Sequence, residues 1–123
     1  HLHFIIKQLK DNGITSFMNQ SLNGYSSFFN LLHNRRGPLW QERFGASPIR
    51  DHGHLLDRSA YIHANPVKDL GMKSALDWDY TSFHEFAGSD PTLSPACDRQ
   101  EDIALSSREY LKYFNNYLLN PGD

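Results

Sequence analysis

Two short stretches hold the side chains best suited to chemistry: His1-Leu2-His3 at the start of the sequence, and Tyr61-Ile62-His63-Ala64-Asn65-Pro66-Val67 near its middle. Positions i and i+2 share one face of a strand, so His1 and His3 would present two imidazoles on the same side. Positions i and i+4 share one face of a helix, so Asn65 would lie one turn beyond Tyr61. Two imidazole nitrogens, an amide oxygen and a phenol could thus converge on one divalent cation. A phenol with a pKa of about 10 is a poor nucleophile until a cation stabilises its phenolate or polarises the phosphate it attacks. The amide oxygen is a hard ligand suited to Mg2+, and the imidazoles tilt the set toward Mn2+. Zinc would need a further histidine, since no thiolate or carboxylate is placed to complete its usual tetrahedron. This is the equipment for nicking a DNA strand through a covalent tyrosyl phosphate.

Each fragment also has a plain structural reading. Short His-x-His triplets are mostly coincidental. His52-Gly53-His54 is one more, and it reads as loop or helix-capping polarity. Tyr61 alone is an aromatic on a helix face, and Asn65 alone is a cap before a proline. Tyr110, Tyr113, Phe114, Tyr117 and Leu118 form a helical stripe. Base stacking is its sharp reading, and docking of an amphipathic helix on its own domain is the favoured one.

The elements that must position these residues follow from periodicity. His1 to Leu9 alternates, with His1, His3, Ile5 and Lys7 on one face and Leu2, Phe4, Ile6 and Gln8 on the other. The pattern predicts a strand whose apolar face lies on a core. Asp11-Asn12-Gly13 breaks it. From Ile14 to Leu32 the apolar spacing predicts a helix, ended by Asn34-Arg35-Arg36-Gly37-Pro38. Leu39 to Phe44 reads as a loop or short strand, and Ser47 to Asp51 as a short strand around Ile49. A second helix should open at Asp51 or His52 and stop at Asn65, because Pro66 disfavours helical geometry in the residue before it. Residues 74–80 read as loop, Thr81 to Phe86 as a short helix, 88–100 as a linker, and Ser106 to Leu119 as a final helix.

Bulk properties narrow the class. A chain of 123 residues suits one domain with a real core. No apolar run is long enough to span a membrane. The lone Cys97 precludes an internal disulfide and favours a reducing compartment. No secretory signal is visible. Net charge is -2, but residues 1–73 hold nine Lys/Arg against five Asp/Glu (+4), and residues 74–123 hold three against nine (-6). The basic part contains both motifs, as phosphate binding asks. The first residue is not methionine and lies on the motif itself, so an upstream segment is expected to be missing.

Taken in order, these pieces resemble the HUH single-tyrosine transposases, specifically the REP-associated tyrosine transposase branch. The resemblance runs from His1-Leu2-His3-Phe4-Ile5-Ile6 through Gly37-Pro38-Leu39-Trp40-Gln41-Glu42-Arg43-Phe44 and residues 61–71 to Trp78-Asp79-Tyr80-Thr81-Ser82-Phe83. It implies an α+β fold: a partial ferredoxin-like HUH domain at 1–87, lacking its first strand-helix-strand and so mostly helical, with a linker and packed helix at 88–123. It implies that His1, His3 and Asn65 bind Mg2+ or Mn2+ and that Tyr61 is the nucleophile. The implied substrate is single-stranded DNA carrying hairpins, in the bacterial cytoplasm at the nucleoid. Arg35, Arg36, Arg43, Arg50 and Lys68 are expected near the phosphates by charge and position. A homodimer is a further expectation. The rival expectations are a hairpin-binding fragment without catalysis and a metal-stabilised interaction domain.

Overall fold

The computed structural model describes residues 2–89 and 103–121, and every regular element among them is helical. Helix α1 spans Gly13–Leu32. Asn12 enters it in the left-handed region (φ 57°) and makes no side-chain cap. Gln8 Oε1 instead accepts from the Ile14 N–H at 3.4 Å, supplying one of the acceptors that the first turn lacks. At the far end Asn34 is again left-handed. The Asn30 side chain donates to the Gly37 carbonyl at 2.9 Å, and the Trp40 indole donates to the Leu22 carbonyl at 3.1 Å. These two bonds fold the following loop back along the helix.

Helix α2 spans His52–Leu70. Asp51 caps it, its carboxylate accepting from the His54 N–H at 2.8 Å, as the sequence led us to expect. The helix does not stop at Asn65. Pro66 is inside it and buried, and the helix runs one more turn. A proline withholds only its own N–H from the ladder while its carbonyl remains an acceptor. Here that carbonyl accepts from the Met72 N–H at 3.1 Å and from Gly71, whose φ of 68° closes the helix. Gly71 and Lys68 were the true end signals.

A single 3-10 turn, Ala75–Asp77, stands where a loop was expected, and Ser74 and Asp77 close it as a reciprocal capping box. Helix α3, Phe83–Ala87, ends at Gly88 in the left-handed region; a Cβ there would also meet Ser107 Oγ at 3.1 Å. Helix α4, Ser107–Leu119, starts on a second capping box between Ser106 and Glu109. The Ser106 hydroxyl, and after it the Ser106 N–H, donate to the Glu109 carboxylate and hold it below its ordinary pKa.

Ala60 and Ala64 of α2, Ala75, Phe83 and Phe86 of α3, Ile103, and Tyr110 and Phe114 of α4 form the buried core. The two alanines leave room for rings from the neighbouring helices. Phe83 packs on Phe114 at 4.5 Å between centroids, and Phe86 on Tyr110 at 4.6 Å. The tyrosine stripe of α4 therefore faces its own domain with Tyr110 and Phe114 inward. The chain divides into two compact units, one formed by His1–His3 with Ile49–Asp123 and the other by Phe4–Pro48.

The expectation of an α+β ferredoxin-like domain is overturned. Among the described residues there is no strand at all; residues 2–9 and 47–50, both read as strands, join no ladder. Alternation records which faces a segment could present, but a strand exists only through hydrogen bonds to a second one. These two segments are not paired here. Leu2 and Phe4, expected on a core, are about half exposed (60% and 51%). The 88–100 linker lies outside the described residues apart from Gly88 and Ser89. Among the described residues, no helix is long and apolar enough to cross a membrane.

Candidate functional site

Helix α2 carries a buried set of side chains and, bordering it, a more exposed one. Ser59, Ala60, His63 and Ala64 are buried. Asp57, Tyr61, Asn65 and Lys68 recur at steps of four, four and three residues and so form another stripe. Tyr61 and Asn65 are half-buried, and Asp57 and Lys68 are exposed. The His3 ring meets the Tyr61 ring edge-on, with centroids 5.8 Å apart and planes at 81°. Two of the sequence-expected site residues are thus side by side, and a third, Asn65, is one helical turn from Tyr61. His1 lies outside the described residues. Among those residues, no three His, Cys, Asp or Glu side chains gather into a metal-binding group.

Helix α4 borders the same stripe. The Tyr113 hydroxyl donates a hydrogen bond to the Asp57 carboxylate. Burial pushes the Tyr113 phenol up to about 12, and the bond to Asp57, the charge of Asp57 and the neighbouring Tyr117 push the same way. Tyr117 is also raised, chiefly by burial, then by Asp57 and Tyr61, while Arg58 pulls it down. Lys68 Nζ sits over the Tyr117 ring, 4.7 Å from its centroid, close enough for a cation–π contact. Asp57, Tyr113 and Tyr117 had no part in the site as read from sequence. The spacing of Asp57 four residues before Tyr61 was visible, but its partner 56 residues away was not.

The expected phosphate contacts fall in both units. Arg35, Arg36 and Arg43 belong to the unit Phe4–Pro48. Arg35 bonds Asn30 Oδ1 at 3.2 Å and lies 5.9 Å from the Phe29 ring centroid. Arg50 and Lys68 belong to the unit that holds Tyr61. Arg50 precedes α2, where its backbone N–H reaches His54 Nδ1 at 3.2 Å. Arg58 Nε reaches His54 Nε2 at 3.1 Å. A neutral imidazole has one acceptor nitrogen, so only one of these two bonds stands at a time. His54 and Asp51 thus give the His52-Gly53-His54 triplet its capping role.

Behind the stripe runs a buried polar chain. Ser59 Oγ and the Tyr110 hydroxyl are 2.7 Å apart, Tyr110 and His63 Nδ1 2.7 Å, and His63 Nε2 and Ser82 Oγ 2.9 Å. Burial lowers the His63 pKa from 6.5 to about 3, so the ring is neutral. One nitrogen then donates and the other accepts, and protons along the chain can point all one way or all the other. The spacing of Ser59 and His63 with Ala60 and Ala64 was the sequence signal that this histidine faces inward.

Comparison with known proteins adds one partial likeness. Over 49 residues the chain is 41% identical to the REP-associated tyrosine transposase of Escherichia coli (strain K12). The match covers 37% of this chain and 28% of that protein, so the chain spans less than a third of its relative's length. No family model matches the chain. Searching solved structures gives no significant match.

Proposed function

We propose that the chain carries the nucleophile-bearing part of a transposase-like site, which nicks single-stranded DNA and transfers the cut strand through Tyr61. The observation that carries this reading is the His3 ring set edge-on against Tyr61, with Asn65 one helical turn away. The partial likeness to a tyrosine transposase supports it.

In this reading the Tyr61 oxygen attacks a DNA phosphorus in line with the departing 3′ oxygen. The Tyr61 O–P bond forms as the P–O3′ bond breaks. The phenol gives up its proton, and the 3′ oxygen leaves as a hydroxyl. The phosphate stays on Tyr61 as a 5′-phosphotyrosine. A DNA 3′-hydroxyl then attacks that phosphorus, and Tyr61 is released. The residues fit a divalent ion by donor chemistry, an imidazole nitrogen from His3 and an amide oxygen from Asn65, with His1 the third ligand by sequence. When bound, Mg2+ or Mn2+ would supply charge to polarise the phosphate and favour the phenolate. Lys68, seven residues past Tyr61 on the same stripe, is the cation that would meet the DNA backbone in this reading.

The test is incubation with labelled hairpin-bearing single-stranded DNA and Mn2+, then denaturing electrophoresis and mass spectrometry. An adduct on Tyr61 is the expected result. Hairpin binding with no adduct would replace the proposal with a non-catalytic binding role. Indifference to DNA even at low salt would remove nucleic acid from the account.

A further inference from the structure

Two contacts between α4 and α2 bracket Tyr61. One turn before it, Asp57 accepts from Tyr113; two turns after it, Lys68 lies over Tyr117. Tyr113 and Tyr117 are themselves one turn apart and therefore share a face of α4. The core contacts of Tyr110 and Phe114 set α4 against α2 and α3, and the Tyr110 hydroxyl meets α2 at Ser59 and His63, away from the Tyr61 stripe. The core thus fixes the distance between the helices. Together with the Tyr110 bonds to Ser59 and His63, the Tyr113 and Tyr117 contacts fix which residues of the two helices stand opposite each other, and among the described residues they alone do so along the Tyr61 stripe. Both α4 tyrosines spend their polar or π groups on α2 rather than on solvent.

We infer that Tyr113 and Asp57 are positioning residues for Tyr61: their hydrogen bond holds α4 in register along the stripe, which keeps the Tyr61 ring against His3. The functional half of this inference rests on Tyr61 being the nucleophile. Its geometric half does not. An aromatic side chain on a helix has a few allowed χ1 and χ2 wells, and its packing neighbours decide which of them is held. Misplacement of a reacting atom by about 1 Å can cost on the order of a hundredfold in rate. A looser α4 should therefore slow the chemistry while leaving DNA affinity alone.

The experiment uses the full chain with Tyr113→Phe, Asp57→Leu and Asp57→Asn. Phenylalanine keeps the packed ring, and asparagine keeps an oxygen that can accept from Tyr113. The first readout is the nuclear Overhauser effect between the His3 and Tyr61 ring protons, without DNA. Tyr113→Phe and Asp57→Leu should weaken it at least twofold, and Asp57→Asn should retain it. The second is the rate of adduct formation at saturating DNA, expected to fall about tenfold in the first two variants with DNA affinity unchanged. An unaltered ring contact in Asp57→Leu and Tyr113→Phe would overturn the inference. So would equal losses in Asp57→Leu and Asp57→Asn, because the bond would then not be what matters. If the wild-type chain forms no adduct at all, the proposed function fails, while the ring contact still decides the positioning role.

Discussion

Tyr61 and His63 are two residues apart on α2 and therefore face different surroundings, and their chemistry diverges accordingly. His63 is enclosed by Phe83, Phe86 and Tyr110 and has both ring nitrogens engaged. Tyr61 lies half-buried against His3. Replacing Tyr61 with phenylalanine keeps the ring contact and removes only the attacking oxygen. Adduct formation should vanish and DNA binding should persist; an adduct that survives would mean another group attacks phosphorus. Asn65→Ala removes an amide oxygen one turn away. Half-maximal activity should then require on the order of tenfold more Mn2+, a magnitude typical of losing support at a metal site, and an unchanged Mn2+ titration would exclude Asn65 from the ligand set. The Tyr61–Asn65 pair was legible because helix geometry is local. The His3–Tyr61 approach rested on fold topology, and the Asp57–Tyr113 bond depended on how α4 docks, which no spacing within one helix reports.

Among the elements, helices were legible and strands were not, for one physical reason. A helix satisfies its own backbone, so its signals are contiguous: apolar spacing, Asp51 or Ser106 at the start, Gly71 or Gly88 at the end. A strand satisfies its backbone on a partner, and residues 2–9 find none in a ladder here. Pro66 misled because it marks a local preference that the buried surroundings of α2 overrule. The caps can be tested directly. Ser106→Ala removes the oxygen that accepts from the Glu109 N–H and also bonds its carboxylate, and should cost about 1 kcal/mol in urea unfolding. Gly71→Ala forces a Cβ into a left-handed position with nothing within 4 Å of it. Its cost, also about 1 kcal/mol, would be backbone strain rather than collision. If Gly71→Ala is neutral, the α2 terminus must relax at no cost, and the closure on Pro66 is not what ends the helix.

At the scale of the whole molecule, the buried polar chain ties three helical segments together: α2 through Ser59 and His63, the residue before α3 through Ser82, and α4 through Tyr110. It also makes stability depend on pH with a definite sign. His63 takes up a proton near pH 6.5 when unfolded but only near pH 3 when folded. Between those values the unfolded state binds the extra proton, so stability is fully present above about pH 6.5 and falls as the pH drops toward 3. The slope is about 1.4 kcal/mol per pH unit for one such group. Against a total of roughly 5–15 kcal/mol for a small domain, two units of acidification should be plainly visible. Urea midpoints at pH 7, 6 and 5 measure it. His63→Gln keeps a side chain able to donate and accept while removing the titration, so it should be less stable at pH 7 yet lose less between pH 7 and 5. Parallel losses in wild type and His63→Gln would place the acid sensitivity elsewhere. Tyr110→Phe is the complementary change: it strands His63 Nδ1 and Ser59 Oγ in the core and should cost about 1–3 kcal/mol.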